Sequence, residues 1–470
     1  MNGTLALLFV LSSPAVTPAA TSTVYNVVTP YGAMAGDGGD DTAAFQSALD
    51  AAAAAGGGTV YVPAGIYRVD ELVIDDFVTL EGDGAGVSVL ESVPTPALPR
   101  NRILSNAGGM DSDNQNITVR DLGFRGWPAG GTEITNSLQG INFFRTSDVL
   151  IERCRFENLD FGVINQMGSR RINIVACHAV NMRLYGFYVQ KRSVSGVDYP
   201  CSEVRYIGCK AEMTDGAFRA WDSEHITYAG CIAVDSLERS IQTDSSRRWH
   251  HLGTLVRGGA NSGITTAASG IDGGQAAGGT TNVPTHKPFD LQLTGCVVAG
   301  LAENGFEFHG ATDFSLGGCI SYSNGLAGFL ADSIDHSGTG EIPQRFSVKG
   351  GIFRENGQHG FLLNGVHTAV IADGIILNNS KASSGVYDGI QFGDGTYLAT
   401  NVYSHHITVE NCLISDDQAI KTQKFAVRSR QNSDFVRVFL SDVSGNLETN
   451  APVSLVGANN LTSLNEAGVY

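Results

Sequence analysis

Four side chains in this 470-residue sequence have the types and spacing to move protons: Asp244, Glu307, His309 and Asp332. They lie in three short alternating segments, Ser240-Ile241-Gln242-Thr243-Asp244, Gly305-Phe306-Glu307-Phe308-His309 and Gly328-Phe329-Leu330-Ala331-Asp332. Strand alternation sends Ile241, Phe306 and Phe329 inward, and the residues one and three places later outward. Asp244, His309 and Asp332 are then expected in the same slot of three successive units, with neighbouring Cα atoms about 5 Å apart. Glu307 stands two residues before His309 on the same strand. Carboxylates grouped around an imidazole on an outward face suit general acid–base catalysis. Outward strand positions are polar in any solvated sheet, so the clustering carries the argument.

The same outward columns supply candidates for substrate contact. One runs Tyr188, Arg219, Gln242, Glu307, Leu330, Leu362, and the other Gln190, Trp221, Asp244, His309, Asp332, Asn364. Tyr188, Trp221 and Trp249 can stack on sugar rings, and Arg219 can pair with acidic groups. Arg248 joins them from a Gly-rich stretch that also holds Arg247, His250, His251 and Arg257. Paired carboxylates have a second use in glycoside hydrolysis. Asp244 and Asp332, read as two units apart at about 10 Å, fall near the spacing of inverting enzymes. Asp416-Asp417 is another acidic pair, but the Asn-Thr-Asp and Gly-His-Gly partners expected of a polygalacturonase are missing.

A stacked repeat is needed to position these residues. Cys154, Cys177, Cys209, Cys231, Cys296, Cys319 and Cys412 each follow a short alternating strand, and Gly351 and Gly374 fill the same slot. The basic spacing is 22 or 23 residues, as from Cys154 to Cys177 and from Cys209 to Cys231. A fixed period of this size marks a solenoid. The cysteines read as an internal ladder of buried thiols, because stacked parallel side chains have poor disulfide geometry. Cys201 falls outside the ladder and is expected to be the exposed thiol. Long connections at 191–203, 245–288, 333–344 and 381–405 all follow the strand that carries the outward columns and are expected to wall one face. Before the repeat, an Ala-rich helix from about Thr42 to Ala55 has Asp40 or Asp41 as N-cap and ends at Gly56-Gly57-Gly58.

The implied organisation is a leader at 1–20, a strand and capping helix at 21–58, coils at 59–424, and degenerate coils with a tail at 425–470. The leader reading rests on the apolar run Leu5 to Leu11 and the small residues up to Ala20, although no Lys or Arg precedes them. It predicts export to the extracellular space. No other segment is long and apolar enough to span a membrane. A formal net charge of −17 argues against nucleic acid and anionic membranes as partners. The fold class is all-β, a right-handed parallel β-helix with an N-terminal capping helix, acting as a monomer or as a homotrimer.

From about Tyr25 to Leu90 the chain resembles the cap of the pectate-lyase-like β-helix superfamily. Gly305-Phe306-Glu307-Phe308-His309, Gly328-Phe329-Leu330-Ala331-Asp332 and His359-Gly360-Phe361 resemble the catalytic module of mannuronan C5-epimerases more specifically. That family carries Tyr-Gly-Phe-Asp-Pro-His, then a Gly-Phe-Val-Ala-Asp strand, then His-Gly-Phe. The resemblance implies a uronate polymer as substrate and abstraction of its C5 proton. Glu307 would be the acid that shares a proton with the substrate carboxylate, His309 the His and Asp332 the later Asp. His359 joins the substrate-binding candidates. The chain departs from the pattern at Asn304, where the family has its Tyr, and at Phe308, where it has Pro. Tyr185 opens the one Tyr-Gly-Phe, read as three coils and about 14 Å from His309. Epimerase and lyase chemistry both remain open, with hydrolysis and non-catalytic glycan binding of a tailspike kind as alternatives. No metal or other cofactor is expected, calcium alone being left open, and no Gly-rich calcium-binding nonapeptide is present.

Overall fold

The structure, a computed structural model, describes residues 23–93, 100–126, 137–267, 288–332, 342–393, 404–430, 433–449 and 451–463. The expected leader lies outside them. Among the described residues, three long parallel sheets of 17, 13 and 14 strands form the faces of a β-helix. One coil runs Glu224–Ala229, Ile232–Ser236 and Ile241–Asp244, one strand in each sheet. Helix α1, Thr42–Ala54, packs Phe45, Ala48, Leu49 and Ala52 against the first coil, with Phe45 edge-on to Tyr67 at 5.2 Å. The Asp40 carboxylate accepts from the Thr42 N–H at 2.9 Å. Asp41 instead holds the helix to the sheet, accepting from the Met34 and Arg68 backbone N–H groups.

Alternation sets the core. Phe187, Phe218, Ile241, Ile264, Phe306, Phe329 and Phe361 are register partners on successive coils of the 14-stranded sheet, and all are buried. The cysteines form the expected ladder at the next corner. His178 N bonds Cys154 O, Lys210 N bonds Cys177 O, and Ile232 N bonds Cys209 O. A residue with positive φ precedes each rung, for example Ala176 (51°) and Gly230 (59°), because the chain must turn sharply there from one sheet to the next. All eight cysteines are buried and free. Cys201 is therefore not an exposed thiol: its Sγ faces Asn165 O and Gln190 O inside the coil, and burial pushes it up to about 12.

Two expected loops contain further coils. The stretch 245–288 holds Arg247–Leu252, Leu255–Gly259 and Ile264–Ala267, one strand for each sheet, and only 268–287 lies outside the described residues. Its ladder rung is Thr254, whose carbonyl accepts from Val297 N. Trp249 and His251 belong to the core, His251 stacked on Tyr228 and Trp249 edge-on to His251, so Trp249 is not a sugar platform. The stretch 381–405 likewise contains Ile390–Phe392, paired with Phe361 and its neighbours. The connection 191–203 is an antiparallel hairpin, Arg192–Val194 with Val197–Tyr199. Most of 333–344 lies outside the described residues.

Two measurements check this core. Thiol labelling of the native protein should find none of the eight cysteines, and all eight after denaturation. Reaction of Cys201 in the folded state would contradict its placement. Burial, with help from His250, pushes His251 from 6.5 down to about 3, so the folded protein keeps it neutral. The unfolded chain binds that proton more readily, so its contribution is complete above about pH 6.5 and lost as pH falls to about 3. On the order of 5 kcal/mol rides on this ring. His251→Phe keeps the stack on Tyr228 and should flatten the fall of melting temperature across that window.

Candidate active site

The outer face of the 14-stranded sheet gathers most of the expected residues, in a register that differs from the expected one. Asp244 pairs with Ala267, and Thr266 with Phe308, so a whole coil separates Asp244 from His309. His309 and Asp332 are direct register partners. Asp244 therefore stands two coils, about 10 Å, from His309 and three coils, about 14 Å, from Asp332. That is too far for the paired acids of an inverting hydrolase. Tyr185 lies four coils, about 19 Å, from the Asn304 position rather than three.

Glu307 is the centre of the first cluster. Its side chain is 7% exposed and its two oxygens are fully engaged. Oε1 meets His309 Nε2 at 2.6 Å, with Arg239 at 3.9 Å. Oε2 accepts from Ser262 Oγ at 2.5 Å and from Asn304 Nδ2 at 2.9 Å. Burial pushes the Glu307 carboxyl up, but His309, Arg239 and Ser262 outweigh it and hold the group at about 2. An ionised carboxylate can only accept, so Nε2 of His309 carries a proton and the neutral ring has its lone pair on Nδ1. Glu307 thus orients the imidazole. Asp332, on the next coil, accepts from Asn364 Nδ2 at 3.5 Å.

Arg239, Ser262 and Asn304 complete this cluster and were not among the expected site residues. They stand in the turns, two residues before the inward apolar residue of each strand. Ser262 was hidden because its coil reads as loop. Asn304 was legible only as a departure from Tyr.

A second cluster lies toward the N-terminal coils. Arg219 donates to Tyr185 Oη at 2.7 Å and to Asp244 Oδ2 at 3.0 Å. Its guanidinium lies over Tyr185, Tyr188 and Trp221 at 5.3, 5.8 and 6.0 Å. Gln242 is buried among them and donates to Asp244 Oδ1 at 3.2 Å. This aromatic and cationic patch shares the face of His309.

Two candidates fall elsewhere. Arg248 is in the strand Arg247–Leu252 of a different sheet, 3.6 Å from Glu224, so it cannot border this face. His359 is buried, its Nδ1 accepting from Asp388 N at 3.0 Å. Burial, reinforced by Arg430 and Arg428, pushes it down to about 3. It is a neutral structural ring rather than a contact for substrate. Asp416 is also structural, since its carboxylate accepts from the backbone N–H groups of Gln418, Thr422 and Gln423. Among the described residues, no three or more His, Cys, Asp or Glu side chains group to hold a metal.

Comparison with known proteins agrees with this architecture. The β-helix resembles the pre-mature gene product 12 of bacteriophage phi29, with a TM-score of 0.65 at 14% identity, over 89% of this chain and 57% of that one. That likeness shows the fold alone. In sequence, the chain is 41% identical over 107 residues to the mannuronan C5-epimerase AlgE4 of Azotobacter vinelandii, covering 21% of this chain and 19% of that protein. It is 47% identical over 77 residues to alginate lyase 7 of the same organism, covering 15% and 9%. The matches thus span less than a fifth of those relatives' own lengths. Residues 24–120 match the family described as rhamnogalacturonase A/epimerase, pectate lyase-like. This chain is therefore a parallel β-helix with a pectate-lyase-like N-terminal segment, homologous over about a fifth of its length to mannuronan C5-epimerases.

Proposed function

We propose that this protein acts on a uronic-acid polymer outside the cell by removing the proton at C5 of a sugar ring, with His309 as the base. The observation that carries the reading is the Glu307–His309 pair at 2.6 Å on an outward face, held by Ser262, Asn304 and Arg239. An imidazole whose Nε2 proton is fixed by a buried carboxylate presents a basic Nδ1. Homology to mannuronan C5-epimerases and to an alginate lyase supports a polyuronate as the substrate. Arg219, Tyr188 and Trp221 would hold neighbouring sugars, and Asp332 would order the groups around the ring. The leader expected at 1–20 accords with a substrate found outside the cell.

Elimination is favoured over epimerisation. Epimerisation needs a proton donor on the opposite face of the ring. The slot that holds Tyr in the epimerase pattern holds Asn304, whose Nδ2 is bound to Glu307 and whose Oδ1 accepts from Ala327 N at 3.0 Å. An amide so fixed has no proton to exchange. In elimination, Nδ1 of His309 takes the C5 proton, that electron pair forms the C4=C5 bond, and the C4–O bond breaks. The leaving oxygen takes up a proton, which the same imidazole can return.

Incubation with polymannuronate, polyguluronate, polygalacturonate and neutral glucans tests the reading. Ultraviolet absorbance of an unsaturated product from a polyuronate is the expected result. Inversion at C5 seen by proton NMR without chain cleavage would favour the epimerase, and new reducing ends on a neutral glycan without unsaturation would overturn both. His309→Gln should lower turnover at least ~100-fold with an unchanged melting temperature. Asp332→Asn is expected to act in the same direction. Glu307→Gln should lower kcat rather than raise KM, because it frees the imidazole without touching a sugar contact. Full activity of the His309 variant would reduce the cluster to a solvated strand face.

A further inference from the structure

Beyond Asp332 the same face continues for several coils, and there it carries buried acceptors that no described residue satisfies. Asn364 Oδ1, Gln391 Oε1 and Asp388 Oδ2 have no hydrogen-bond partner, in residues 3, 1 and 0% exposed. Their other polar atoms are committed. Asn364 Nδ2 donates to Asp332, Gln391 Nε2 donates to Gly393 O at 2.9 Å, and Asp388 Oδ1 accepts from Phe425 N at 3.2 Å. The two amides are therefore oriented by these bonds, and each leaves its oxygen without a donor among the described residues. Buried acceptors without donors are rare in folded proteins, because nothing repays their lost hydration.

Register puts Asn364 and Gln391 on the active face, with Asp388 beside them. Asn364 is the partner of Asp332, and Gln391 lies in the column of Glu307, between Leu362 and Arg428. Asp388 stands two residues before Ile390, the position from which Ser262 and Asn304 reach Glu307. Arg428 brings its guanidinium to 3.8 Å from Asp388 Oδ2 and lies over the Phe425 ring at 5.2 Å. Lys424 lies over the same ring at 5.6 Å. This positive charge opposes a metal cation and attracts an anion, while the acceptors call for hydroxyl donors. Both belong to one kind of ligand, an acidic sugar. Asn364 is two coils from His309 and Gln391 three, about 10 and 14 Å along the axis. A 1,4-linked pyranose is about as long as one coil is thick, so these distances correspond to sugars two and three units from the reacting ring.

We propose that Asn364, Gln391 and Asp388, together with Arg428, form a remote subsite that binds the hydroxyl groups and carboxylate of a polyuronate two to three sugars from His309. It rests on the uronate reading above. The site would favour long chains over short ones without taking part in the chemistry.

Calorimetry on the inactive His309→Ala full-length protein tests it, with mannuronate and galacturonate oligomers of three and eight sugars as probes. The octamer of one series should bind at least ~10-fold more tightly than its trimer, and Asn364→Leu with Gln391→Met should remove most of that advantage. Because these changes delete unsatisfied acceptors, the melting temperature should hold or rise. Arg428→Gln, on a side chain 19% exposed, gives a second reading that leaves the buried face intact. If the parent binds the octamer tightly and all variants bind it equally, the subsite is wrong while the uronate reading stands. If no oligomer binds the parent, both fail. Calcium chloride binding that is lost in the Asn364 variant would make this a cation site and overturn the proposal.

Discussion

The backbone N–H and C=O groups of each coil can be satisfied only by the coil before and the coil after. The parallel register Phe218↔Ile241↔Ile264↔Phe306↔Phe329↔Phe361 is therefore imposed on every side chain those strands carry. A slip of one residue would send Glu307 and His309 into the lumen and Phe308 to solvent. The stacked apolar rings guard against that slip, as Phe308 on Phe314 at 4.6 Å and Phe329 on Phe361 at 5.1 Å. The core and the site are thus two sides of the same strands.

On the outer side, register turns residues distant in sequence into neighbours. Ser262 and Glu307 are 45 residues apart, yet they lie on adjacent coils and share a hydrogen bond. The buried Glu307 charge is tolerable only because four side chains from three coils surround it. Each of those coils keeps its place through the strand ladder. The geometry of this cluster is a property of the stack, since no single coil contains the set.

Much of the face was legible because alternation is local. Phe306, Phe329 and Phe361 read as inward, and His309 above Asp332 read as outward neighbours, which the register bears out. The coil through Thr254 escaped because its rung is not a cysteine. Thr254 nonetheless stands 23 residues after Cys231, behind a glycine at positive φ, as the period requires. Overlooking it moved Asp244 one coil too near His309, and it placed Trp249 and Arg248 in a loop. Cys201 escaped for the opposite reason, since a residue outside the ladder can still point into the lumen.

What the sequence determines by itself is the period, the inward and outward alternation, and the grouping of Glu307, His309 and Asp332, because all three follow from spacing within or between equal repeats. What only the tertiary structure decides is how many coils lie between two repeats and which groups converge from different columns. The ionised state of Glu307, the neutrality of His359 and the unsatisfied acceptors at Asn364, Gln391 and Asp388 are of this second kind. Burial and hydrogen-bond partners are set by side chains arriving from neighbouring coils, and their number and reach are not written in the local pattern.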